Sequence, residues 1–140
     1  MRAKRSIATV TTAIAIGLTA GMALAPAASA ATGDGNCSRT EICVYNDYGR
    51  HKDKGYYDLD SPALKNFHGR YYFNDGAYLG DSISSWTAGS GTSCAGYKFF
   101  VNVDFRGASI QIAKGTKGNF DSPWNGPYNN IISSYSKYGC

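Results

Sequence analysis

The stretch Asn129-Asn130-Ile131-Ile132-Ser133-Ser134 puts amide oxygens at its first two positions and hydroxyls at its last two. Hard oxygens of this kind suit a hard cation such as calcium, which takes roughly six to eight of them and accepts neutral groups and water among its ligands. A weaker copy stands 49 residues upstream, Gly80-Asp81-Ser82-Ile83-Ser84-Ser85. An aromatic follows each copy, Tyr135 in one case and Trp86 in the other. The candidate ligands are Asp81, Ser84, Asn129, Asn130 and Ser133. The same pattern can also serve the backbone alone, because Asn and Ser side chains at a turn satisfy nearby N–H groups.

A repeat at 49 residues is too short for two domains and implies one domain built from two similar halves. Strand-length segments separated by turn residues supply the elements: Ile42-Cys43-Val44-Tyr45, Gly55-Tyr56-Tyr57-Asp58-Leu59, Arg70-Tyr71-Tyr72-Phe73, Lys98-Phe99-Phe100-Val101-Asn102-Val103 and Ala108-Ser109-Ile110-Gln111-Ile112. Ser109-Ile110-Gln111-Ile112 alternates polar and apolar, as a half-buried strand does. Asn46-Asp47, Lys54-Gly55, Asn74-Asp75-Gly76, Arg106-Gly107 and Lys117-Gly118-Asn119 mark turns. Helical periodicity is absent, although Ser61-Pro62-Ala63-Leu64-Lys65-Asn66-Phe67 could form one turn or a short helix. The fold class is therefore all-β, a sandwich of many short strands. The polar segment 88–93 reads as a connector between a first half at about 41–87 and a second at about 94–140. Neither half, at about 45 residues, can bury a sufficient core alone. The shared core is expected from Ile83, Phe100, Val103, Ile110, Ile112, Ile132 and several tyrosines, with many tyrosine rings at sheet edges and corners.

Residues 1–30 read as a removable secretion signal. Arg2, Lys4 and Arg5 precede an apolar run over 7–24, and Ala28-Ser29-Ala30 is a small-x-small cleavage site. The single domain then spans 31–140, with no membrane span expected. Three of the fourteen Lys and Arg residues lie in the signal, leaving eleven basic against ten acidic residues. A net charge of +1 gives no basic footprint for nucleic acid. Four cysteines in an exported chain imply two disulfides. Three connectivities are possible. The short Cys37–Cys43 spacing suggests a local staple, and Cys94 would then pair with Cys140. The chain-entropy relation gives roughly 2.4 kcal/mol for the short loop and about 4 kcal/mol for the long one.

Two motifs in the second half resemble the βγ-crystallin superfamily. Phe100-Val101-Asn102-Val103-Asp104-Phe105-Arg106-Gly107-Ala108-Ser109 fits its aromatic-x4-aromatic-x-Gly-x-Ser hairpin, and 129–134 fits its Asn/Asp-Asn/Asp-x-x-Ser/Thr-Ser calcium signature. In the first half, Tyr48 to Gly55 has the hairpin spacing with Asp53 in place of the second aromatic. Gly49 with Tyr45 and Tyr48 offers a rival register. Gly80 replaces the first Asn or Asp of the signature. The resemblance implies a sandwich of two Greek keys. It also implies two calcium sites, each joining the second-position side chain of one half to the fifth-position hydroxyl of the other: Asp81 with Ser133, and Asn130 with Ser84. Asp81 is the one signature carboxylate, so its site is expected to bind more tightly, at micromolar affinity or weaker. The Cys37-x5-Cys43-x-Tyr45 opening, the secretion signal and the size also resemble the Streptomyces metalloproteinase inhibitor family. That likeness implies a secreted peptidase as partner, although the family's second short disulfide loop has no counterpart here.

The remaining residues offer weaker chemistry. His51 and His68 are the only histidines, and a Ser-His-Asp site drawn from His68 lacks a nucleophile turn. Arg50-His51-Lys52-Asp53-Lys54 reads as a solvated turn before it reads as a docking loop. Tyr56-Tyr57 and Tyr71-Tyr72-Phe73 could stack on glycan rings, but paired aromatics usually divide between the core and the surface. Trp124 is either a binding anchor or a cap on the sandwich. The expected function is a secreted, non-catalytic, monomeric protein-binding module, a candidate extracellular metallopeptidase inhibitor stabilised by calcium. The alternative is a calcium-binding structural or envelope module, or a small secreted antimicrobial.

Overall fold

Short runs of β-branched and aromatic residues, cut by Gly, Asn and Asp turns, give strands and almost nothing else. The computed structural model describes residues 32–121 and 127–140. The expected signal at 1–30 and Trp124 lie outside the described residues. In chain order the strands are β1 (Ile42–Tyr45), β2 (Tyr56–Leu59), β3 (Ala63–Leu64), β4 (Ser85–Ala88), β5 (Gly96–Asn102), β6 (Arg106–Ala113), β7 (Lys117–Asn119) and β8 (Ser134–Tyr138). They form two four-stranded antiparallel sheets, ordered β2-β1-β4-β7 and β3-β8-β5-β6. The all-β sandwich is present, and each sheet takes one strand from the other half. β3 pairs with β8 through Ala63↔Ser136 and Leu64↔Tyr135. β7 pairs with β4 through Lys117↔Thr87, Gly118↔Trp86 and Asn119↔Ser85.

Several element expectations are corrected, and Arg106-Gly107 and Lys117-Gly118-Asn119, expected as turns, are the start of β6 and strand β7, drawn into the sheets by their pairing with β5 and β4. Ala63 and Leu64, expected in a helical turn, are strand β3. The backbone carbonyl of Pro62 accepts from Lys137 N (2.7 Å), and that of Ser61 accepts from the Tyr135 hydroxyl, so pairing to β8 overrides local preference. Tyr71-Tyr72-Phe73, expected as a strand, makes only single bridges, Tyr71↔Tyr78 and Tyr56↔Phe73. The in–out alternation survives there. Tyr72 is buried, whereas Tyr71 is exposed and lies 4.9 Å from exposed Tyr78.

The core joins both halves. Phe99 on β5 lies 5.6 Å from Phe120, 5.7 Å from Tyr135 and 6.4 Å from Phe67 between ring centroids. Phe67 and Phe120 occupy matching positions, donating their amides to Ser133 O (2.9 Å) and Ser84 O (3.0 Å). Ile83, Phe100, Ile112 and Ile132 are buried as expected, whereas Val103 and Ile110 are only half-buried. Tyr48, Tyr71 and Tyr78 are exposed, and several other tyrosines enter the core as expected, Tyr97 and Tyr135 being fully buried. Their hydroxyls are satisfied by backbone carbonyls, Tyr97 by Thr40 O at 2.9 Å and Tyr135 by Ser61 O. A buried ring with a bonded hydroxyl keeps its hydrophobic gain without an orphaned polar atom.

The hairpins settle the first-half register. Tyr45 pairs with Ser85 as Phe100 pairs with Ser134. Gly55 (φ 93) then answers Gly107 (φ 78), with a 3-10 turn at Lys52–Lys54 between. The first half therefore uses Tyr45 from one reading and Gly55 from the other. At Gly107 a Cβ would stand 2.7 Å from both Asn102 Nδ2 and Val101 Cγ2, so positive φ and close approach both require glycine.

Cys37 is bonded to Cys43 and Cys94 to Cys140. An N-terminal arm ahead of β1 is tied to β2 by side chains. Thr32 Oγ1 accepts from Asp60 N (2.8 Å) and Ser61 N (2.6 Å). The Asp58 carboxylate accepts from Gly33 N, Asp34 N and Gly35 N at 2.6, 3.0 and 2.8 Å.

Candidate metal centre

Asp81 and Asn130 both sit in left-handed backbone, at φ 58 and 57. Short polar side chains tolerate this region better than most residues. Each turn is fixed from the opposite half: Asp81 N donates to Ile132 O (3.0 Å) and Asn130 N to Ile83 O (3.1 Å). The following serines are fixed from their own half, Ser84 N to Tyr45 O and Ser133 N to Phe100 O, both 2.9 Å. The two signatures are thus related by an internal pseudo-twofold.

The side chains follow the backbone. Ser133 Oγ donates to Asp81 Oδ1 at 2.7 Å, and Ser84 Oγ to Asn130 Oδ1 at 3.2 Å. These four residues are brought together in the crossed pairs that the resemblance implies. Ser84 and Ser133 are buried, while Asp81 and Asn130 face solvent. Each pair therefore offers one inward hydroxyl and one outward oxygen near the surface. Asn129 donates through Nδ2 to the Tyr48 hydroxyl at 2.7 Å. Its Oδ1 is buried with no hydrogen-bond partner among the described residues. An orphaned amide oxygen on the residue that precedes Asn130 fits a hard cation, which would supply the missing partner.

The surroundings of the two pairs differ. His68 Nε2 lies 3.9 Å from Asp81 Oδ2, a contact that becomes an ion pair only when His68 is protonated. The His68 ring also explains Gly80, because a Cβ there would stand 2.6 Å from His68 Nδ1. On the other side, the Asp121 carboxylate acts on Tyr48. Desolvation and then the Asp121 carboxylate push the Tyr48 phenol above its ordinary value. The Asn130 side thus has a nearby carboxylate outside the signature. Sequence reasoning weighed His68 and Tyr48 in other roles, passed over Asp121, and placed none of the three at the signatures. The available signal was Gly80, since glycine within a polar signature marks a close approach.

A chain of contacts runs His68–Asp81–Ser133, with the carboxylate in the middle. A hydrolytic triad needs the histidine between the serine and the acid, so that a base faces the hydroxyl. Here the Ser133 proton points at Asp81 instead.

No family model and no curated protein matches the sequence. Solved structures do match. One, from work on the evolution of the eye lens βγ-crystallin domain fold, aligns over 79% of this chain and 97% of its own length. Its identity is 17% and its TM-score 0.55. The chain has the βγ-crystallin fold. A βγ-crystallin from an archaeon aligns over 73% of this chain and 99% of its own, at 19% identity and TM-score 0.47. A βγ-crystallin from Ciona intestinalis aligns over 69% and 98%, at 18% identity and TM-score 0.47. In βγ-crystallin terms, β1 to β4 form the first Greek key and β5 to β8 the second, with β3 and β7 the exchanged strands.

Proposed function

We propose that this is a secreted, non-catalytic βγ-crystallin module whose two halves are clamped by calcium at the Asp81–Ser133 and Asn130–Ser84 pairs. The observation that carries the reading is the crossed geometry of those pairs, 2.7 and 3.2 Å, in which each half lends a hydroxyl to the other's Asp or Asn. A cation seated on both oxygens binds the folded state and has no equivalent site in the unfolded chain. It therefore stabilises the protein in proportion to its saturation. The fold is a type that can serve as a calcium-binding or structural module, and export accords with two disulfides and the signal-like segment at 1–30.

The test is thermal unfolding in calcium and in chelator. Calcium at about 100 times its Kd contributes about 2.7 kcal/mol per site, worth roughly 10 °C for a domain of this size. Asp81→Ala combined with Asn130→Ala is expected to abolish most of that rise. A melting temperature indifferent to both calcium and chelator sinks the reading.

Inhibition of a secreted metallopeptidase is the second reading. In its favour is Arg39, exposed on the disulfide-closed bend between Cys37 and Cys43. Against a substrate-like role, the Arg39 carbonyl is already engaged by Gly91 N at 2.7 Å. An inhibitor would suppress a thermolysin-like enzyme near equimolar ratio and survive intact. Undiminished peptidase activity across classes removes this reading.

A further inference from the structure

Beneath the N-terminal arm, Asp34, Glu41 and Asp58 each bring a carboxylate oxygen within 4.8 Å of the others. Glu41 and Asp58 are fully buried, and Asp34 is exposed at the mouth of the cluster. Three carboxylates this close repel one another unless something of opposite charge lies between them. Among the described residues, none of the three forms an ion pair with Lys, Arg or His.

The amide nest of the arm answers only part of that charge. Gly33 N, Asp34 N and Gly35 N fill three of the roughly four acceptor positions of the Asp58 carboxylate, and Asp34 Oδ1 accepts from Asn36 N at 2.8 Å. Glu41 Oε2 accepts from Ser38 N at 2.5 Å. Glu41 Oε1 is buried and has no hydrogen-bond partner among the described residues. A buried carboxylate oxygen without a donor is among the costliest polar defects a fold can carry. Burial, followed by the charges of Asp58 and Asp34, pushes the Glu41 carboxyl above its ordinary value.

We propose that Asp34, Glu41 and Asp58 form a separate site for a calcium-sized divalent cation, with Glu41 Oε1 as its innermost ligand. Oxygens bound to one ion at about 2.3–2.6 Å lie no more than roughly 5 Å apart, and the 4.8 Å span of this cluster meets that condition. The cation would pin the arm to β2 and the start of β1, outside both Greek-key signatures. Asp34, from the exposed arm, closes the site.

The experiment is calcium titration by calorimetry on the full disulfide-bonded chain, with and without Asp81→Ala plus Asn130→Ala. In that double variant one calcium is expected to remain. Adding Glu41→Gln should abolish it, and adding Asp34→Asn should weaken it on the order of tenfold by removing one ligand charge. Asp34 is exposed, so the second substitution keeps the test valid should Glu41→Gln unfold the chain. Calcium binding by the wild type but none by the double variant overturns this site and leaves the inter-half reading standing. Residual binding indifferent to both Asp34→Asn and Glu41→Gln also overturns it. Unchanged stoichiometry in the double variant, with loss on Asp34→Asn, supports the arm site and counts against the inter-half one.

Discussion

Asp81 and Asn130 share a backbone conformation but not an electrostatic setting. The hydroxyl on Asp81 is 0.5 Å closer than its counterpart on Asn130, and it meets a carboxylate where the other meets an amide. Hydrogen bonds to an ionised acceptor are shorter and stronger. Ser133→Ala is therefore expected to weaken calcium at the Asp81 pair more than Ser84→Ala weakens it at the Asn130 pair. The Asp81 side chain is half in solvent, so the stability cost without calcium should be only about 0.5–1.5 kcal/mol. Calorimetry on the two single variants checks the order, and equal losses would contradict it. The repeat of these residues was legible because Asn, Asp and Ser recur at fixed offsets, whereas their crossed pairing came from the resemblance to the βγ-crystallin signature. His68 and Asp121 were not legible, since they follow Phe67 and Phe120 and reach the turns only through the fold. Glu41 and Asp58 carry no short-range signal at all, being 17 residues apart on different segments.

At the scale of the element, strands with dense aromatic or alternating patterns could be read directly, as β1, β2, β5 and β6 were. β3 and β7 could not. Ala63-Leu64 and Lys117-Gly118-Asn119 have no strand-like composition and exist because a neighbouring edge offers unpaired donors and acceptors. Gly118 even lacks a side chain where the Trp86 ring passes, with a Cβ there falling 2.8 Å from Cζ2. β5 is the opposite case, since its residue Phe99 touches aromatic rings contributed by both Greek keys. Phe99→Ala is expected to lower unfolding free energy by about 3–5 kcal/mol, measured by denaturant midpoint. A loss below about 1 kcal/mol would mean the two keys do not share one core.

For the whole molecule, the buried tyrosines set the alkaline limit. Burial pushes Tyr97 up to about 12, and raises Tyr72 and Tyr135 as well. The fold thus favours neutral phenols. Their contribution is intact below the unfolded-state value of about 10, and it drains away as pH climbs from there through the folded values. Urea midpoints should hold steady up to pH of about 10 and fall beyond it. Tyrosinate absorbance from these rings should appear together with unfolding. Its appearance in the native protein near the unfolded value would contradict the burial argument.

The Cys94–Cys140 bond closes β5 to β8 into a covalent ring. Tension applied between residue 32 and Cys140 crosses from one sulfur to the other and leaves that ring unloaded. Under oxidising conditions, a single-molecule trace would lengthen by little more than the segment 44–93, and a reductant would add the rest. The first key is thus the extensible part and the second an inextensible buckle.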